Sequence, residues 1–311
     1  MNTSSQENES FIKTYALLVA VMVLWGGTFI SGRMLAQNHS AFTISFLRFL
    51  TASLVLSPVL FFSKKKTPSY TRLQWLKLFF LGLTGVFSYN YFFFGGLKYV
   101  EAGKASVIIA INPTITAFLA AIILKELLTP GKILGALTAL TGALIVITKG
   151  DLHTITSGGI DKGEILLFGA VLSWVSYTLL GKVALKKLRP LETTTFACII
   201  GTILLFPFSL KNGLAQSLET ATILDWINVV YLGAFGTGLG FIWYYGGIQK
   251  IGAAKAAAFI NLVPIFGVSF GAFLLGESIE SSLLIGIALV IIGISLVNKK
   301  VKAKTVNLEV N

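Results

Sequence analysis

One charged side chain in this 311-residue sequence lies well inside an apolar stretch. At that position its polar contacts have to be made with groups other than water. Arg48 lies about seven residues into an apolar run that begins near residue 41. A guanidinium buried in a membrane helix costs about 2.5–3.5 kcal/mol on insertion scales. Arg48 is therefore either an anion receptor for a carboxylate or phosphate, or a residue whose flexible stem reaches the nearby interface. The sequence leaves both alternatives open.

Two prolines interrupt two further apolar runs, and asparagines lie close before them. Asn112 directly precedes Pro113, and Asn261 lies three residues before Pro264. A proline inside a helix removes one hydrogen bond and frees a carbonyl one turn earlier, which gives either a packed kink or a moving hinge. Freed carbonyls beside carboxamides are typical of a small-molecule site in a broken membrane helix. We therefore predict that both prolines are hinges and that both asparagines line a cavity.

Aromatic side chains are found in the middle of apolar runs, although membrane proteins concentrate tryptophan and tyrosine at the two interfaces. Helix packing and the wall of a binding cavity both explain that position. The predicted substrate-binding residues are Trp25, Arg48, Asn90, Asn112, Trp174, Tyr177, Trp243 and Asn261.

The other titratable residues form no catalytic pattern. The sequence has two His, one Cys and 13 scattered acidic residues, without an arrangement typical of metal, acid–base or nucleophilic catalysis. It also contains no Walker A motif. We expect no catalytic residue, no metal and no cofactor. The net charge of +12 comes from basic residues between the apolar runs, so nucleic acid is not a predicted partner.

Membrane-spanning helices are the elements that must position these residues. The sequence is 55% hydrophobic and only 12% charged, whereas soluble domains are about 25% charged. The predicted fold is an all-α polytopic membrane protein with ten transmembrane helices, and the lipid bilayer is its first partner. Apolar runs of about 17–25 residues, sufficient to cross a bilayer, predict spans near 14–34, 41–62, 74–97, 102–124, 131–148, 162–183, 191–210, 224–248, 253–275 and 281–298.

The chain also contains an internal repeat. An offset of 151 residues aligns 95–126 with 246–277 at ten of 32 positions, the two prolines among them, and an offset of 149 pairs Trp25 with Trp174. Each half holds five predicted spans, so the second half enters the membrane from the opposite side to the first. Inverted five-helix repeats of this kind support alternating access around a site near the bilayer midplane.

Basic residues predict the orientation, because short loops rich in Lys and Arg stay in the cytoplasm. With the N-terminus inside, 18 basic residues lie on the cytoplasmic side and six on the other. We predict an integral protein of the plasma (inner) membrane with both termini in the cytoplasm. Its parts are a cytoplasmic tail at 1–13, a first repeat at 14–150, a second repeat at 151–298 and a basic tail at 299–311.

Short motifs recur in the same order in the two halves. They are LWGGTF at 24–29, LRF at 47–49, AGKAS at 102–106, NP at 112–113 and LKE at 124–126, with GAAKA at 252–256, LVP at 262–264 and LGE at 275–277. Each half thereby resembles one EamA domain of the drug/metabolite transporter superfamily. The resemblance implies a ten-helix carrier whose cavity lies between helices one, three, four, six, eight and nine. Ala197 stands opposite Arg48 in the second half, so any role of Arg48 is asymmetric.

The predicted function is secondary transport of small metabolites, most simply export of amino acids or related compounds by alternating access. The alternatives are an exchanger of phosphorylated or nucleotide-linked metabolites, and a channel. A phosphorylated substrate calls for more than one buried cation and only Arg48 qualifies, while a channel needs a continuous polar pore. Glycine steps at 135–142 and 286–293 allow close helix packing within or between protomers, so a homodimer is also considered.

The acidic residues predict transport without proton coupling, because none of them lies at mid-span. Proton-coupled carriers hold a protonatable side chain inside the membrane. Glu126 and Glu277 close two spans, and we interpret both as groups that bind backbone donors at the start of the next helix. We expect substrate accumulation in proteoliposomes to be unaffected by an imposed pH gradient. Accumulation that disappears with a protonophore and in Glu126→Gln or Glu277→Gln would contradict this.

Overall fold

The structure is a computed structural model of the chain, described for residues 3–63, 70–123, 130–151, 161–185, 188–251 and 259–298. These residues are helical apart from short connections, and they contain no strand. The first half comprises α1 (Thr3–Asn38), α2 (Ala41–Phe61), α3 (Arg72–Leu81), α4 (Tyr89–Leu97), α5 (Ala102–Ile109), α6 (Asn112–Ile123) and α7 (Pro130–Thr148). The second comprises α8 (Lys162–Ala184), α9 (Pro190–Lys211), α10 (Leu214–Thr220), α11 (Ile223–Val230), α12 (Gly240–Ile251), α13 (Val263–Leu275) and α14 (Ser281–Asn298).

Two long helices contain a π-helical segment. The first, Gly82–Ser88, joins α3 to α4, and the second, Tyr231–Leu239, joins α11 to α12. Segments of π-helix are rare and are frequently found at functional sites. The two segments begin 149 residues apart, which is the offset that pairs Trp25 with Trp174. The unusual backbone therefore occurs at the same place in each repeat.

Among the described residues, seven helices are long and apolar enough to cross a membrane. They are Ile12–Asn38, Ala41–Phe61, Arg72–Leu97, Pro130–Thr148, Lys162–Gly181, Pro190–Lys211 and Ile223–Tyr244. The predicted span 102–124 is divided into α5 and α6, because helical geometry is interrupted at residues 110–111, directly before Asn112 and Pro113. Val263–Leu275 and Ser281–Leu296 are shorter apolar helices. Helix length and composition thus support seven spans, and the other three predicted spans depend on the repeat.

Each π-helical segment packs on a helix of the opposite half. A methyl group added to Gly233 would lie 2.5 Å from Cβ of Thr51 on α2, and one added to Gly82 would lie 3.0 Å from Ile200 on α9. Gly82 and Gly233 are 151 residues apart in the sequence, and their partners Thr51 and Ile200 are 149 residues apart. These are the two offsets of the internal repeat. The same close contact is thus made twice, once by each repeat.

The glycine steps of α7 and α14 pack these two helices against each other within the chain. An added Cβ on Gly142 would lie 2.7 Å from the carbonyl oxygen of Gly286, and one on Gly293 would lie 2.5 Å from that of Gly135. The offset of 151 converts one pair into the other. Small residues are needed here because the two backbones approach directly.

The largest apolar cluster lies between the halves. Phe29 on α1 and Phe93 on α4 meet edge to face with ring centroids 5.2 Å apart. Leu167 on α8, Leu232 in the second π-helical segment and Val263 on α13 belong to the same cluster. Burial of these side chains therefore stabilises the halves as one packed unit.

We expect Gly142→Ala to destabilise the protein, because its methyl group would meet backbone that cannot move aside. Gly246→Ala on α12 is the matched control, since an added Cβ there has nothing within 4 Å. Both substitutions gain the same helix propensity, so their difference isolates the steric cost, about 1–3 kcal/mol for overpacking. Unfolding of the purified variants in detergent measures it. Equal stability of the two variants would contradict the close packing of α7 and α14.

Candidate functional site

The guanidinium of Arg48 bonds to both halves of the protein. Its Nε donates to Oγ1 of Thr237 at 3.1 Å, and its Nη1 donates to Oδ1 of Asn90 at 3.1 Å. Asn90 and Thr237 are both 1% exposed, so the side chain points into the interior rather than towards an interface. Arg48 is on α2, Asn90 is the second residue of α4, and Thr237 belongs to the second π-helical segment.

Asn90 is oriented by the first π-helical segment. Its Nδ2 donates to the carbonyl oxygens of Gly85 at 3.3 Å and Val86 at 2.9 Å. With both amide hydrogens directed at these carbonyls, Oδ1 is the atom that faces Arg48. Both carbonyls belong to the first π-helical segment, so this segment sets the direction of the carboxamide.

Thr237 is oriented in the same way by the second segment. Its hydroxyl donates to the carbonyl oxygen of Leu232, five residues earlier, at 3.0 Å. The donor is thereby used, and the oxygen lone pairs accept from Nε of Arg48. Both acceptors of the guanidinium are therefore fixed by a side-chain bond to a π-helical carbonyl of their own helix.

The surroundings of the guanidinium are aromatic and carry no opposite charge. Its Cζ lies 5.3 Å from the ring centroid of Phe49 and 5.8 Å from that of Phe94, both buried. Aromatic faces attract a cation when it is desolvated. In the described part of the chain, no carboxylate forms an ion pair with Arg48. The site thus contains a cation held only by neutral groups.

Trp25 contacts the second π-helical segment. Its Nε1 donates to the carbonyl oxygen of Gly236 at 2.9 Å, next to Thr237, and its ring lies 5.2 Å from that of Tyr244. The hydroxyl of Tyr231 donates to the carbonyl oxygen of Leu24 at 2.8 Å on the same helix. One face of α1 is therefore attached to the segment that holds Arg48.

Tyr177 contacts the first segment at Gly85, and Trp174 packs against Tyr177 and against Tyr89, the residue after the segment. The Trp174 ring lies 5.0 Å from the ring of Tyr89 and 5.3 Å from that of Tyr177. A side chain at Gly85 would collide with the Tyr177 ring, so Gly85 and Tyr177 are in close contact. Tyr89 precedes Asn90 in the chain. Five of the predicted residues, Trp25, Arg48, Asn90, Trp174 and Tyr177, thus border the two π-helical segments.

The remaining predicted residues are not linked to Arg48 by the contacts described. Trp243 packs at the edge of the largest apolar cluster. Asn112 is 6% exposed at the start of α6, where its Oδ1 accepts no hydrogen bond from the described residues. The side chain of Asn261 lies outside the described part of the structure. Pro113 and Pro264 each occupy the first turn of a helix, α6 and α13, after a break in regular α-helix.

Glu277 contacts a different helix from the one expected. We expected it to bind backbone donors at the start of the next helix, α14. Instead Oε1 accepts from the amide of Ala102 at 2.7 Å and Oε2 from the amide of Gly103 at 2.9 Å, at the start of α5 in the other half. A carboxylate at a helix N-terminus is stabilised by the free amides and the helix dipole. Glu126 lies outside the described residues.

Two ion pairs join the halves near the same place. Lys104 on α5 donates to Glu164 on α8 at 2.6 Å and to the carbonyl oxygen of Ile147 at 3.2 Å. Lys149, after α7, donates to Glu280 at 2.7 Å. The hydrogen bond to Glu280 raises the pKa of Lys149, and the same bond lowers the pKa of Glu280. With Glu277 they form a polar clasp at the start of α5 and the end of α7.

Sequence reasoning missed Thr237 and both π-helical segments. The only sequence signal is the density of small residues, GLTG at 82–85 and GAFGTG at 233–238. Such residues are equally typical of close helix packing, and apolar periodicity does not distinguish π-helix from α-helix. Asn90 was predicted as a substrate-binding residue, but neither Asn90 nor Thr237 was predicted to accept from Arg48.

Comparisons with known proteins all point to one family of transporters. The model of the EamA-like transporter family matches residues 12–148 and 161–299. The uncharacterized transporter YyaM of Bacillus subtilis is 33% identical over 283 residues, covering 91% of this chain and 92% of that protein. An uncharacterized transporter of Archaeoglobus fulgidus is 30% identical, covering 93% and 98%.

Two further similarities concern function and fold. A Streptantibioticus cattleyicolor protein named a probable terminal-alkyne amino-acid exporter is 28% identical over 91% of this chain and 92% of its own length. A crystal structure with 16% sequence identity superposes with a TM-score of 0.61, covering 91% of this chain and 97% of that one. At that identity the superposition supports the fold alone.

We expect Thr237→Val to destabilise the protein by about 1.5–3 kcal/mol, the range for a hydrogen bond to a charged group. The substitution keeps the shape but removes the acceptor of Arg48 Nε. Thr195→Val is the control, because the buried Thr195 hydroxyl donates to the carbonyl oxygen of Leu191 in its own helix. Unfolding midpoints in detergent should fall clearly for the first variant and little for the second. Similar midpoints would show that Thr237 does not stabilise the guanidinium.

Proposed function

Because the chain belongs to the EamA-like transporter family, as an integral membrane protein, we propose that it is a secondary carrier that exports amino acids or related small metabolites by alternating access. One observation carries the proposal: the guanidinium of Arg48 bonds to Asn90 in the first half and to Thr237 in the second. A ligand at this point touches both halves, which is what a carrier requires of its binding site.

The proposed architecture has ten transmembrane helices in two inverted repeats, 14–150 and 151–298, with tails at 1–13 and 299–311. Its support is the packing that recurs with the offsets of the sequence repeat, at the π-helical segments and between α7 and α14. The distribution of basic residues favours both termini in the cytoplasm and a plasma-membrane location.

The proposed substrate-binding residues surround the junction of the halves. Arg48 and Asn90 supply its polar centre, and Trp25, Trp174 and Tyr177 supply aromatic walls on the two π-helical segments. Asn112 offers a buried acceptor, and Trp243 and Asn261 complete the set. Pro113 and Pro264 are proposed hinges, because each lies where a helix restarts after a break and a broken helix bends at small cost.

The nature of the site favours amino acids over the alternatives. Arg48 is a single cation with aromatic neighbours, whereas a phosphorylated or nucleotide-linked substrate needs several cations. The similarity to a protein named as an amino-acid exporter points in the same direction. A channel would need a continuous polar pore. The relatives are named transporters, in keeping with a protein that is not an enzyme.

The proposal is tested by transport in proteoliposomes that contain the purified full chain. The probes are the proteinogenic L-amino acids and L-propargylglycine, a small terminal-alkyne amino acid. We expect saturable flux of at least one probe, accelerated by unlabelled substrate on the opposite side, because a carrier returns faster when loaded. Protein-free liposomes are the control. The proposal fails if no probe moves faster than in the control, or if flux does not saturate and single-channel currents appear.

A further inference from the structure

The guanidinium of Arg48 has unused hydrogen-bond donors. A guanidinium carries five N–H groups, and the described residues accept from only two of its nitrogens, Nε and Nη1. The side chain is partly accessible although Asn90, Thr237, Phe49 and Phe94 around it are buried. The other N–H groups of this half-buried residue therefore have no acceptor among the described residues.

Its charge is also unbalanced. Removing a cation from water costs several kcal/mol unless an opposite charge or a full set of acceptors offsets the loss. Here two neutral oxygens accept from it, and no ion-pairing carboxylate is found among the described residues. Lys104 has Glu164 and Lys149 has Glu280 as an ion-pair partner, so these two cations between the halves are neutralised. Arg48 is the cation that an incoming anion would neutralise.

The two acceptors position the guanidinium rather than neutralise it. Asn90 and Thr237 are each held by a bond to a π-helical carbonyl, so the Nε edge and one Nη1 hydrogen are fixed in direction. The planar group is thereby held, and Nη2 and one Nη1 hydrogen have no acceptor among the described residues. A guanidinium that presents an Nη1–H and an Nη2–H on one edge matches the two oxygens of one carboxylate.

From these observations we propose that Arg48 is the receptor for the carboxylate of the transported molecule, with Asn90 and Thr237 as positioning residues. The inference rests on the proposed function and specifies its substrate class, compounds with one free carboxylate. A single carboxylate cancels the charge of Arg48, whereas a phosphate dianion would leave an excess negative charge in the apolar interior. Arg48 bonds to Asn90 in the first half and to Thr237 in the second. A carboxylate bound to Arg48 therefore acts on contacts of both halves.

The inference is tested with pairs of probes that differ only at the carboxylate. Each amino acid of the transport panel is compared with its carboxamide, and the concentration dependence of flux in proteoliposomes gives an apparent affinity. We expect the wild-type protein to prefer the acid by about tenfold or more, as for loss of a charge-assisted hydrogen bond. Equal affinity for acid and amide, or transport only of compounds without a carboxylate, overturns the inference while the carrier function stands. If no compound is transported, the proposed function itself fails.

Substitutions at the site separate recognition from folding. Arg48→Gln removes the charge, and Asn90→Asp places a carboxylate where Oδ1 lies 3.1 Å from Nη1, so that the protein supplies its own counter-ion. Both variants should treat acid and amide alike, within about twofold. Asn228→Asp makes the same chemical change at another buried asparagine, which bonds to the carbonyl oxygen of Leu224, and should keep the preference.

Asn90→Asp keeps the test decisive if Arg48→Gln does not fold. A purely structural role for Arg48 predicts changed stability with an unchanged preference for the acid. Full acid preference in monodisperse Asn90→Asp protein would therefore contradict the inference.

Discussion

A guanidinium among helices that exclude water has to find oxygen acceptors on neighbouring chain segments, and the surrounding structure is arranged to provide them. Side chains in ordinary α-helices bond to carbonyls four residues earlier, as Thr195 does to Leu191. Asn90 and Thr237 bond to carbonyls of the two π-helical segments five residues earlier, and these bonds orient them towards Arg48. The two segments in turn require glycine, because each is pressed against a helix of the opposite half.

The packing contacts are related by the internal repeat, whereas the charged residue at the candidate site occurs in one half only. Contacts such as Gly233 with Thr51 and Gly82 with Ile200 are made twice, once in each repeat. Arg48, however, has Ala197 as its counterpart, so there is one cation and not two. Symmetric halves can exchange their packing with little net change in energy, as alternating access requires. In the proposed carrier, the single cation between them is one binding place shared by both arrangements.

The polar clasp around Glu277 joins the same halves at a distance from Arg48. The Glu277 carboxylate binds the start of α5, and the Lys104–Glu164 pair ties α5 to α8. α5 ends at the break before Asn112 and Pro113. The clasp therefore fixes one end of a broken helix whose other end lies beside the proposed hinge.

Sequence reasoning reached the features that depend on composition and spacing. The span predicted at 41–62 corresponds to α2 at Ala41–Phe61. The apolar run and the helix agree in length because a helix that crosses a membrane needs apolar residues along its whole length. Asn90 was predicted as a polar partner of the aromatic residues expected to line the cavity. The π-helical segments could not be read from GLTG or GAFGTG, since small residues serve close packing equally well. Thr237 lies in one of these segments and was not predicted. Its contact with Arg48 and the contact of Glu277 with α5 are both made between the two repeats, and the sequence does not show which residues meet there.

We propose above that one carboxylate binds Arg48 at the junction of the two repeats. A high-resolution cryo-electron-microscopy map of the purified protein, saturated with a transported amino acid, tests it most directly. The account predicts ligand density with its carboxylate within hydrogen-bond distance of Nη1 and Nη2 of Arg48, and side chains of both halves around it. Ligand density elsewhere, with Arg48 bonded only to Asn90 and Thr237, would contradict the account.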